Sequence, residues 1–176
     1  MRLGVLTDAS YLSRPNAGSV AGSSHRLCRQ FDPAFVNAPI SMASNHIPIV
    51  CSSVQEAEYA GTFGAAKVAV GERQILSDLG YSQPPTVIFC DNEVAVGIAN
   101  RAIKPKLSKS TDMRLHWLED RVRQLQFRVR HISGLQNIAD FFTKSLPLTR
   151  HNELAPFIAV DDASLAADMH AHLTLQ

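Results

Sequence analysis

A short apolar run at residues 86–90, Thr-Val-Ile-Phe-Cys, lies between two segments of helical pattern and ends on an acid, Asp91. Five residues of this kind read as a buried strand. Before it, residues 52–80 carry a helical pattern: Tyr59, Phe63, Ala66 and Val70 recur on one face. Ser53 and Glu56 have the spacing of a capping box, and Gly80 is a natural stop. Gly61, Gly64 and Gly71 weaken the helix intrinsically, so packing must hold it, and they leave room for a close neighbour. After the run, residues 92–100 read as a second helix.

The remaining chain extends the pattern. Residues 2–8 read as a first strand, and residues 15–18 (Pro-Asn-Ala-Gly) as a turn. Residues 18–28 and 39–44 read as strands of a hairpin or meander, in a region broken by Pro33 and Pro39. A loop with Lys104, Pro105 and Lys106 leads to a helix over about residues 110–125, with Leu115, Leu118, Val122 and Leu125 on one face. Phe127, Val129 and His131 alternate with Arg128, Arg130 and Ile132 in a last strand, which makes His131 a core or sheet residue. Asn137 caps a final helix with Ile138, Phe141 and Phe142 inward and Pro147 as terminator. The expected fold is mixed α/β, a central sheet flanked by helices, over residues 1–148. Residues 149–176 form a C-terminal extension, a weak helix to about Val160 and then a tail.

The chain has 176 residues, enough for one domain with a real core. No apolar run approaches the ~18 residues of a membrane span. Three widely spaced cysteines, Cys28, Cys51 and Cys90, argue against a disulfide framework or structural zinc and fit a reducing compartment. Net charge is only +1, but residues 101–131 hold nine Lys or Arg against three acids. Such a cationic stretch can meet phosphates, or can be an ordinary solvated face.

Four acids stand near element ends: Asp8 at the end of the first strand, Glu58 early in the long helix, Asp91 at the end of the central strand, and Asp140 in the first turn of the last helix. Converging carboxylates are the oxygen donors that Mg²⁺ requires. Each also has a simpler role. Asp91 could cap the following helix, Asp8 could belong to a turn, and Asp140 could favour the positive end of its helix. Glu56 is accounted for by the capping box, which leaves Glu58 as the site residue.

Four segments, SSVQEAEYAG, CDNEVAVGIAN, SKSTDMRLHW and NIADFFTKSLP, resemble in order and spacing the ribonuclease H domain of copia-type retrotransposon polyproteins, over about residues 4–148. The resemblance implies a ribonuclease H-like fold and hydrolysis of the RNA strand of RNA/DNA hybrids. It implies Asp8, Glu58, Asp91 and Asp140 as catalytic ligands of two Mg²⁺ ions, with Mn²⁺ as a substitute. Products would carry 5′-phosphate and 3′-hydroxyl ends. Lys104, Lys106, Lys109 and Arg114 are candidates for contacts to the hybrid backbone, while Trp117 is assigned to the core rather than to stacking on a sugar. The implied partner is the polymerase domain of a reverse transcriptase, without a membrane, in the cytoplasm, a virus-like particle or the nucleus. Departures from the pattern are Ala-Ser-Tyr after Asp8 in place of Ala-Asp-Trp, Ser110-Thr111 in place of His-Ile, no histidine in the loop before Asp140, and a poor match over residues 24–38. Transposase and integrase cores share the fold but end on a late Glu, whereas here the Glu is early and the Asp late. The alternative from another class is a catalytically inactive module that binds or positions nucleic acid.

Overall fold

The computed structural model describes residues 1–28, 39–104 and 109–158, and only the backbone of residues 109–112. Strands β1 (Arg2–Arg14), β2 (Gly18–Cys28) and β3 (Pro39–His46) form an antiparallel meander. Helix α1 (Val54–Asp78) crosses to β4 (Thr86–Cys90), which pairs parallel to β1. Helices α2 (Glu93–Ala99) and α3 (Lys109–Arg123) then lead to β5 (Phe127–His131), parallel to β4. The five-stranded sheet runs β3-β2-β1-β4-β5. A 3₁₀ turn (Ile138–Phe142) and helix α4 (Leu148–Leu154) follow.

Local chemistry explains the helix ends. Ser53 caps α1 by accepting from the Glu56 amide at 3.2 Å, while Glu56 reaches back to the amide and hydroxyl of Ser52. Gly80 takes φ +86°, and the Tyr81 and Gly80 amides bond the Leu76 and Ser77 carbonyls, a Schellman stop. Helix α2 is capped by Asn92, whose Oδ1 accepts from the Ala95 amide at 3.0 Å.

Both faces of the sheet are covered. Leu3, Val5, Ile88, Phe127 and Val129 pack under α1, α2 and α3 with Tyr59, Ala66, Ile98, Leu115 and Leu118. Leu6, Val87 and Phe89 pack on the other side with Ile132, Ile138, Ala139 and Leu154. All five residues of β4 are buried, as a strand sandwiched between two layers requires. Packing also continues past residue 148: Leu154 is buried, and the Arg26 guanidinium donates to the Phe157 carbonyl at 2.7 Å.

Several expectations need correction. β1 does not stop at Asp8 but runs to Arg14, with Leu12 at φ 51° beside a register shift. The segment after Asn137 is a 3₁₀ turn rather than an α-helix. Leu125 lies beyond α3, takes φ 58° and is exposed, so it is not on the apolar face. His131 is a sheet residue as expected, paired with Cys90 at the end of β5, but it is exposed and not part of the core. Trp117, by contrast, packs against the core as expected, half-buried and edge-on to Phe63 with ring centroids 5.3 Å apart and with Arg121 over its face. Of the helix glycines, a Cβ at Gly61 would meet Ala21 and the Asp8 carbonyl at 3.4 Å, whereas one at Gly64 or Gly71 would meet open space. Pro33, Pro105 and Val160 lie outside the described residues.

Candidate active site

The four acids come to one end of the sheet, where β1 and β4 run side by side. Ligand crevices in parallel sheets form outside the carboxyl ends of such strands. Asp8 is fully buried and pairs in register with Gly22 of β2, so it is a mid-strand residue and not part of a turn. Asp91 follows the last residue of β4, and because Asn92 caps α2, the Asp91 carboxylate is not spent on the helix end. Oxygens of Asp8, Asp91 and Asp140 lie within 4.8 Å of one another. Glu58, buried in α1, forms a second group with Asp91 and Cys90 on the same criterion. Asp91 is therefore common to both groups.

The turn that carries Asp140 is tied down by its neighbours. Asn137 is fully buried, donates to the Thr7 carbonyl at 2.9 Å and accepts from the Ala139 amide at 3.2 Å. Gly22 lets this turn sit against β2. A Cβ there would meet Thr143 Cγ2 at 2.7 Å, Phe142 Cβ at 2.9 Å and the Ala139 carbonyl at 3.1 Å. Any side chain at position 22 would push the Asp140 turn off the strand that pairs with Asp8.

Electrostatics follow from the crowding. Burial, then the charges of Asp8 and Asp91, push Glu58 up to about 9. Burial raises Asp8 to about 6 against the opposing pull of the Thr143 hydroxyl and the Lys144 ammonium. Burial, with the charge of Asp140, also raises Asp91, although Lys144 works in the other direction. Such shifts mark carboxylates that lack enough positive charge. Cys90 is pushed up to about 12 by burial and by Glu58, and its thiol lies 3.7 Å from Glu58 Oε2. In the metal-free protein it stands as a thiol against the Glu58 carboxyl group.

Two contributors were not singled out in the sequence. Thr143 donates its hydroxyl to Asp8 Oδ2. Lys144 places its ammonium 3.1 Å from Asp8 Oδ1 and 2.6 Å from Asp140 Oδ1. The spacing of Asp140 and Lys144, i and i+4, was a readable signal for that pair, but the contact to Asp8 spans 136 positions.

The expected substrate contacts are more scattered. Lys104 is exposed, and Arg114 is half-buried in a cleft of about 350 Å³ between β3 and α1 that Lys67 also lines. Lys106 and the side chain of Lys109 lie outside the described residues. Part of the cationic stretch is paired internally, Arg101 with Glu119 at 3.0 Å and Arg123 with Asp120 at 2.5 Å. Among the described residues no helix is long and apolar enough to cross a membrane.

No protein-family model matches the chain. The chain is 30% identical over 113 residues to the retrovirus-related Pol polyprotein of transposon TNT 1-94 from Nicotiana tabacum, covering 64% of the chain and 8% of that protein. It is 30% identical over 124 residues to the Pol polyprotein of transposon RE1 from Arabidopsis thaliana, covering 69% of the chain and 8% of that protein. The chain thus spans under a tenth of the length of the curated relatives it matches. Among solved structures it resembles LC11-RNase H1, isolated from compost, with a TM-score of 0.61 at 14% identity over 81% of this chain and 92% of that one. The same enzyme in complex with an RNA/DNA hybrid aligns with a TM-score of 0.56 at 16% identity, over 80% of this chain and 93% of that one. The N-terminal ribonuclease H domain of a Mycobacterium tuberculosis protein gives 0.54 at 16% identity, over 88% and 96%. By sequence the chain is homologous to a segment of retrotransposon Pol polyproteins, and by structure that segment is a ribonuclease H-like domain.

Proposed function

We propose that the chain is a metal-dependent endonuclease that hydrolyses the RNA strand of RNA/DNA hybrids. The observation that carries this reading is the meeting of Asp8, Asp91 and Asp140 at one point, with Glu58 beside Asp91. The donor set fits hard divalent cations such as Mg²⁺ or Mn²⁺: four carboxylates supply oxygen donors. The ammonium between Asp8 and Asp140 indicates that this position already accepts a cation. Asp8, Asp91 and Asp140 would hold one ion and Glu58 with Asp91 a second. When bound, such a pair supplies Lewis acidity to the attacking water and neutralises charge on the departing 3′ oxygen.

The protein's own contribution is placement. Thr143 fixes one oxygen of Asp8 and leaves the other turned toward Asp140. Asn137 and Gly22 hold the Asp140 turn against β1 and β2. Discrimination for RNA would rest on 2′-hydroxyl contacts and the shape of the hybrid groove rather than on base sequence. Lys104 and Arg114, with Lys106 and Lys109, are proposed contacts to backbone phosphates. The parent context is a Pol polyprotein whose polymerase segment would be the natural partner, in the cytoplasm, a virus-like particle or the nucleus.

The test is cleavage of a hybrid labelled on the RNA strand, in Mg²⁺, in Mn²⁺ and in EDTA, beside RNA and DNA duplexes of the same sequence. RNA-strand cuts are expected only in the hybrid and only with metal, leaving 3′-hydroxyl and 5′-phosphate ends. A folded chain that binds hybrid and cuts with neither metal would be the inactive positioning module instead.

A further inference from the structure

Lys144 is seated inside the carboxylate cluster rather than beside it. Its Nζ lies 2.6 Å from Asp140 Oδ1 and 3.1 Å from Asp8 Oδ1, while Thr143 holds the second oxygen of Asp8. Residues 143 and 144 together therefore engage both oxygens of Asp8 and one of Asp140. These belong to two of the three acids that meet within 4.8 Å. A divalent ion held by Asp8, Asp91 and Asp140 must take over oxygens that the ammonium now uses.

The lysine is built to give way. Its side chain is 42% exposed although Asp8 is fully buried, so the lysine reaches the buried acid from the solvent side. Its four-carbon stem is flexible and carries a compact charge that needs no fixed geometry. A cavity of about 470 Å³, lined by Ser10, Ser13, Arg14, Phe142 and Lys144 itself, opens next to it and gives the side chain somewhere to go. Because Lys144 follows Asp140 by four residues, it stays tethered to the site after it moves.

We propose that Lys144 is a resident cation that closes the metal position in the metal-free protein and is displaced when a divalent ion enters. The proposal rests on the reading of the four acids as a metal site, and makes Lys144 a positioning residue. Two effects of opposite sign follow from removing it. The metal-free protein loses the charge that holds Asp8 and Asp140 together and becomes less stable. The metal no longer has a competitor and binds more tightly. A purely structural lysine would give the first effect without the second.

The experiment is calorimetric titration with Mg²⁺ of wild type, Lys144→Met and Lys144→Arg, with thermal melts of each in EDTA. Lys144→Met is expected to bind Mg²⁺ about tenfold tighter, within the usual span of reciprocal coupling between competing groups. It is also expected to melt lower without metal, whereas Lys144→Arg stays near wild type in both. An independent readout needs no charge-removing variant: the Lys144 NH₃⁺ resonance of ¹⁵N-labelled wild type, assigned by its loss in Lys144→Arg, should shift or vanish as Mg²⁺ is added. Equal or weaker Mg²⁺ binding by Lys144→Met, or an unchanged NH₃⁺ signal in a metal-loaded protein, would overturn the proposal even if the hybrid is cut. Tighter binding by Lys144→Met with no hybrid cleavage would uphold the displaced cation and overturn the nuclease reading. No Mg²⁺ binding by any of the three would overturn both.

Discussion

Asp91→Asn is expected to lower hybrid cleavage by at least about 10³-fold, the equivalent of the several kcal/mol a catalytic metal contributes, while the folded protein stays as stable as wild type or gains stability. The activity loss follows from position: Asp91 is the acid common to both candidate ligand groups, so its removal would weaken both at once. The preserved stability follows from what Asp91 does not do. Asn92 caps α2, and the hydrogen bond from His131 uses the Asp91 backbone carbonyl, which an asparagine retains. Burial and Asp140 both disfavour the Asp91 charge in the metal-free protein, so a neutral amide of the same shape relieves strain. The check is kcat/KM on the labelled hybrid with Mg²⁺, beside melts of wild type and variant in EDTA. A variant that keeps near wild-type cleavage, or one that unfolds, would contradict this account of Asp91.

The second large effect is on the metal-free protein's response to pH. Glu58 goes from 4.5 to about 9 and Asp8 from 3.8 to about 6 on folding. In both cases the folded state holds its proton after the unfolded state has lost it. Stability therefore falls with rising pH, through about 4–6 for Asp8 and about 4.5–9 for Glu58, by about 1.4 kcal/mol per pH unit for each proton retained only in the folded state. The raised Lys144 also costs stability as pH rises, but only above the ordinary lysine value of 10.5, so it adds no slope in this window. Melts in EDTA should drop steadily from pH 5 to pH 9. Glu58→Gln should flatten the upper part of that range, and added Mg²⁺ should suppress the slope by supplying the missing positive charge. Stability that is flat or rising with pH in EDTA would contradict the crowded-carboxylate account.

What was readable in the sequence was mostly local. The β4 strand, the Ser53 cap and the Gly80 stop each depend on residues within a few positions, and the structure has them where the pattern places them. The choice of Glu58 over Glu56 was local as well. Once Glu56 is committed to the start of α1, Glu58 is the acid left to turn inward, and it is buried. Local rules fail where the end of an element is set by distant packing. β1 extends past Asp8 because β2 continues to pair with it as far as Ser10 and again at Arg14. His131 has the right phase for the core but lies beyond its depth, which alternation does not encode. The 3₁₀ turn around Asp140 is anchored where Asn137 bonds Thr7, a contact across 130 positions that no local pattern encodes. Lys144 was overlooked for the same reason, since its partner Asp8 comes from the other end of the chain.

The most direct measurement is where a metal sits. Crystals of the wild-type chain grown with Mn²⁺ would show it by anomalous diffraction. The account predicts a peak bounded by Asp8, Asp91 and Asp140, a second beside Glu58 and Asp91 when hybrid is bound, and the Lys144 ammonium withdrawn from Asp8. Mn²⁺ found only elsewhere, with Lys144 still bridging Asp8 and Asp140 at saturating metal, would contradict it.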